Sequence, residues 1–147
     1  MKASTWVVLT VIGLSALGLS GGAFAHGESD EEMIAEFYEH LDDFEQEVSA
    51  LVDQAEAVAA AYAAGQDANG QVDALLELWE GVEVHDVIEV KATIFYPDVW
   101  QSMVALKTAV NDDTGAATVA AATQTLRSFL WQSYGGLRLA ASQADKS

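Results

Sequence analysis

Apolar side chains recur at every third or fourth position through most of the chain. Ile34, Phe37, Leu41, Phe44, Val48, Leu51, Ala55, Val58 and Tyr62 alternate by three and four, an unbroken a/d seam over four heptads. The spacing predicts a first helix over 29–64, about 50 Å long at ~1.5 Å per residue. Ser29 and Glu32 form a capping box, and Asp30, Glu31 and Glu32 set negative charge at the positive end of the helix dipole. The stretch 65–70 (GQDANG) stops the helix and turns the chain.

A second helix is expected over 71–95, with Val72, Leu75, Leu76, Trp79 and Val82 facing inward. Gly81 and the β-branched run VEVHDVIEV weaken its middle. Pro97 suits the first turn of a third helix that turns Val99, Trp100, Met103, Leu106 and Val110 to the core. NDDTG at 111–115 is a turn in which Asp113 or Thr114 caps a fourth helix. Its apolar face is Val119, Leu126, Leu130, Tyr134 and Leu137, loosening at Gly135 and Gly136. The expected fold class is all-α, an up-and-down antiparallel four-helix bundle with a long first helix.

The first 25 residues do not belong to that pattern. Lys2 precedes an apolar run at 6–19 (WVVLTVIGLSALGL), too short to span a bilayer, and Ala23 and Ala25 are the small residues that a signal peptidase reads. Residues 1–25 are expected to be a cleaved signal peptide, a cut after Ala23 being the weaker alternative, with 26–147 as one domain in a periplasmic or secreted setting. No second apolar stretch of spanning length follows, so the mature chain is not expected to insert in a membrane. There is no cysteine, which removes disulfides, thiolate chemistry and the covalent attachment of a c-type haem.

Charge divides the chain in two. Residues 26–90 hold 19 carboxylates and no lysine or arginine, whereas 91–147 hold four carboxylates and all five basic residues beyond Lys2. Such a field repels nucleic acid and anionic membrane surfaces. It favours a cationic partner, either a metal ion or a basic protein surface. Uniform salt adaptation would decorate both halves alike.

All three histidines fall in the acidic half. Glu36, His40, Asp43 and Glu47 lie along one stripe beside the apolar seam, donors that suit a divalent ion but equally the polar flank that a heptad helix needs. His85 and Glu89 are one helical turn apart, with Glu83 and Asp86 near. Folding the hairpin about Asp67 pairs residue 47 with roughly residue 88, so Glu47 is expected to face His85 and Glu89, while His40 lies about 15 Å along the axis from His85. The alternative for His85 is a partly buried imidazole bonded to a carboxylate.

Cleavage after Ala25 would expose His26, whose α-amino nitrogen and ring Nδ1 can chelate together. That single feature is similar to the histidine brace of exported copper proteins, which sits on β-sandwich scaffolds. The Glu-x-x-His of di-iron bundles is absent, because Phe37 and Val82 stand three residues before His40 and His85. No haem motif is present, although Met33 or Met103 could join His85 as axial ligands; methionine at such positions more often fills core. No nucleophilic triad stands out either. The expected function is therefore non-enzymatic: a metal-binding or metal-delivery accessory protein for a divalent ion such as copper or iron, with His85, Glu89, Glu47 and His26 as ligands. The alternative is an acidic helical adaptor docking on a basic partner surface, and the heptad seam also permits a homodimer.

Overall fold

The computed structural model describes residues 40–91 and 95–144, and these are helical with no strand among them. Five helices follow one another: α1 (Leu41–Ala63), α2 (Ala68–Gly81), α3 (Glu83–Lys91), α4 (Tyr96–Asn111) and α5 (Ala116–Ala144). The signal peptide, the capping box at Ser29 and the first turns expected of the long helix lie outside the described residues.

The seam is where the spacing put it. Phe44, Val48, Leu51, Ala55 and Val58 are all buried on α1, and they meet α5 through Leu126 and Leu130 and α2 through Val72 and Leu75 in one continuous core. Each helix contributes one apolar stripe, so removing that area from water is what assembles the elements. Gln54 locks the α1–α2 pair: its amide donates to the Gln71 carbonyl and side-chain oxygen at 3.0 and 2.9 Å.

Both reversals at one end close in the same way. After α1 the chain passes through Gly65 at φ +65°, with the Gly65 N–H donating to the Tyr62 carbonyl and the Gln66 N–H to that of Ala61. This is a Schellman motif, and glycine supplies the left-handed residue without a Cβ clash. After α4 the same pair of bonds forms around Asp113, at φ 49°. Asp113 therefore ends α4 rather than capping the last helix. Thr114 turns its hydroxyl back to the Ala109 carbonyl, and the Gly115 carbonyl accepts from the Thr118 and Val119 amides in the first turn of α5. Tyr62 ties the two reversals together, donating to the Asp113 carboxylate and accepting from the Gly115 N–H at 3.0 Å.

Four details differ from the sequence expectation. The GQDANG stretch is only half a turn, because Asp67 accepts from the Gly70 N–H at 2.9 Å and starts α2 at Ala68. The second helix is not continuous; it breaks at Val82, whose backbone is extended at φ −96°, ψ 142°. Trp100 is 39% exposed rather than inward, since Val99, Met103, Leu106 and Val110 already fill the buried stripe of α4. Gly136 does not loosen α5: the helix runs on to Ala144, and a Cβ there would come within 2.8 Å of the Phe95 ring, so glycine makes room for that packing.

Candidate functional site

The break at Val82 builds the corner that carries the predicted residues. Gly81 and the β-branched residues after it make a continuous helix costly, and the exposed amides of a new helix start then need an acceptor. Glu47 of α1 provides it. Its carboxylate accepts from the Val84 N–H at 2.8 Å and from the Glu83 N–H at 3.4 Å, placing negative charge at the positive end of α3. Burial pushes this carboxyl above its ordinary range, and the charges of Glu83 and Asp43 add to the rise, against the pull of the two amides.

Glu47 thus reaches the first turn of α3, about a turn short of the facing position predicted from the hairpin register. His85 and Glu89 do share one face of α3, with Nε2 and Oε2 4.0 Å apart. That separation is too long for a hydrogen bond and becomes an ion pair only when the imidazole is protonated. The His85 ring is held by aromatic packing. It lies 4.5 Å from the Trp79 ring and stacks on Tyr96 at 5.9 Å with 14° between planes. His85 is 9% exposed and Trp79 fully buried, and neither His85 Nε2 nor Trp79 Nε1 has a hydrogen-bond partner among the described residues. Burial raises the Tyr96 hydroxyl pKa, and the nearby charges of Glu89 and Glu80 raise it further, which places both carboxylates around the same corner.

His40 stands seven residues before Glu47, about two helical turns along α1. It precedes α1 and its Nδ1 lies 3.1 Å from an Asp43 carboxylate oxygen, an exposed pairing in the first turn. Among the described residues, no group of three or more histidine and carboxylate side chains converges as a metal site. His26 and Glu36 lie outside the described residues, so the brace and the upper part of the acidic stripe have no geometry to report.

No protein-family description, no curated protein and no solved structure matches this chain. Its own geometry has to carry the functional reading.

That geometry includes a surface feature the sequence reasoning missed. Asp42, Glu45, Gln46 and Ser49 form one stripe of α1 at helical spacing, and with Trp131 of α5 they line an open cleft of about 390 Å³. Tyr134 supports it from below, its hydroxyl within 3.2 Å of both the Leu41 carbonyl and a Glu45 carboxylate oxygen. Trp131 packs edge-on against the Tyr134 ring at 6.0 Å. The i, i+3, i+4, i+7 polar stripe was visible in the sequence. The partner tryptophan, 82 or more positions away in the chain, was not.

No helix among the described residues is long and apolar enough to cross a membrane.

Proposed function

We propose that this chain is an exported, non-catalytic acidic helical protein that docks on a basic protein surface. Its first 25 residues act as a cleaved signal peptide, and its helices form an up-and-down antiparallel bundle in which α2 and α3 together make the second arm. One observation carries the reading: from Asp42 to Glu89, every carboxylate except Glu47 and Glu83 is exposed. Arg127 bridges one of them, Glu56, at 2.9 Å. The rest of this single-sign face has no lysine or arginine within its own half of the chain to neutralise it. Such a surface steers and orients a cationic partner, and its attraction falls as salt screens it. Calorimetric titration with a hexalysine peptide tests this: saturable binding at low salt that weakens steeply by about 0.2 M salt supports docking, and no binding at low salt refutes it.

A second reading is favoured by His85 Nε2, which is buried without a hydrogen-bond partner among the described residues and stands 4.0 Å from a Glu89 carboxylate oxygen. In this reading the protein is a metal-delivery accessory, and a divalent ion such as copper or iron draws His85 and Glu89 together, with Glu47 and His26 as further donors. Titration of Cu²⁺ into the chain beginning at His26 should then show saturable binding at about one equivalent. Loss of that binding in His85→Ala but not His40→Ala supports the site; equal behaviour of the two variants refutes it.

A further inference from the structure

We infer that the cleft between α1 and α5 is a receptor for an arginine side chain of the docked partner. The inference rests on the docking reading and assigns it an anchoring point. The lining residues supply three kinds of group that a guanidinium uses together: carboxylates at Asp42 and Glu45, polar side chains at Gln46 and Ser49, and the indole of Trp131. Guanidinium is planar, carries donors in a fork that fits a carboxylate, and stacks on aromatic rings while remaining weakly hydrated. An ammonium group gains less from the indole and keeps its water.

Two features make this a shaped receptor and not merely a patch of acid. Tyr134 links the two sides of the cleft: its hydroxyl lies 3.2 Å from both a Glu45 carboxylate oxygen and the Leu41 carbonyl, and Trp131 packs edge-on against its ring. The chain also uses this chemistry itself at the adjoining ring: the Arg138 guanidinium sits 5.9 Å from the centre of Tyr134. None of the five residues lining the cleft is basic, so no lining side chain competes for the carboxylates.

The test is calorimetry and Trp131 indole N–H resonance shifts with capped hexa-arginine and hexalysine peptides, at low salt, on the mature chain. Hexa-arginine should bind more tightly than hexalysine and shift the Trp131 resonance. Trp131→Leu, and separately the double change Asp42→Asn with Glu45→Gln, should each weaken hexa-arginine by about fivefold or more, the scale of one or two such contacts. Asp73→Asn with Glu77→Gln removes the same charge from exposed positions of α2 and should cost no more than about twofold. The exposed carboxylate pair keeps the test decisive should Trp131→Leu fail to fold. If the cleft variants behave like the α2 control while both peptides still bind, the receptor is refuted and docking stands as a diffuse field. If neither peptide binds, docking fails and takes the receptor with it. If tetramethylammonium shifts Trp131 as strongly as hexa-arginine does, the cleft is a small-cation site and the arginine assignment is overturned.

Discussion

Replacing Glu47 with alanine removes the side-chain acceptor of the Val84 and Glu83 amides at the start of α3. The lost bonds are one of 2.8 Å to Val84 and one of 3.4 Å to Glu83, so the first carries most of the effect. Loss of a helix cap costs about 0.5–2 kcal/mol. Part of that is returned, because the variant no longer desolvates a carboxylate that the fold prefers protonated. We expect a net loss of about 1 kcal/mol near neutral pH, a fall of roughly 4 °C in Tm for a domain of this size. Glu47→Gln keeps one acceptor and removes the titration. Since the carboxyl's folded pKa lies above 4.5, its contribution is fully present below that value and is lost as pH rises through the folded pKa. The stability of wild type relative to Glu47→Gln should therefore decline with rising pH across that window. Urea denaturation followed by circular dichroism, at pH values from about 4 to 7, measures both quantities. Two results would sink the reasoning. One is a Glu47→Ala effect within about 0.5 kcal/mol, the range of an uninvolved surface site. The other is a pH trend of opposite sign, which would mean that the amides of α3 outweigh burial.

The two adjacent glycines of α5 should respond oppositely to alanine. A Cβ at Gly135 meets nothing within 4 Å, so Gly135→Ala should stabilise by about 0.5–1 kcal/mol through helix propensity, whereas the Phe95 ring at 2.8 Å should make Gly136→Ala destabilising by about 1–3 kcal/mol. Chemical denaturation of both variants checks this, and a shared sign would contradict the packing at Gly136. Trp79→Ala empties a fully buried site and should cost about 3–5 kcal/mol, with the His85 and Tyr96 ring resonances losing their ring-current shifts in the same sample. A small cost there would mean that the aromatic corner is not packed as described.

The all-helical class and the α1 core face were legible because they rest on local periodicity: among the described seam residues, Phe44, Val48, Leu51, Ala55 and Val58 bury, while Leu41 and Tyr62 at its two ends are partly buried. The break at Val82 was half visible. Gly81 and the β-branched run lowered the cost of stopping, but what stabilises the restart is a carboxylate 37 residues earlier. A cap donated across that distance leaves no local spacing to read. For the same reason the hairpin register places Glu47 opposite His85 and Glu89, whereas its oxygens accept from the Glu83 and Val84 amides about a turn earlier. Asp113 was misplaced because aspartate serves either side of a turn, and only the contact with Tyr62, 51 residues away, decides which. His85 and Glu89 on one face were legible from i, i+4 spacing; the tryptophan and tyrosine that seat the imidazole come from neighbouring helices and were not.

The Tyr62 tether gives the molecule a mechanical polarity. At its end, two chain reversals close on Schellman bonds and a single phenol joins them, so the end of α1 cannot part from the α4–α5 turn without losing both of the bonds that Tyr62 makes. At the opposite end lie the first turn of α1, the nine-residue α3 whose first amides rest on Glu47, and the acidic cleft. Opening motions are cheapest where the fewest bonds must break together, so fluctuation should be concentrated at that end and fade toward Tyr62. A partner that grips the cleft would therefore seize the compliant end of a molecule whose far end is clamped, and the ordering it imposes there need not travel down the helices.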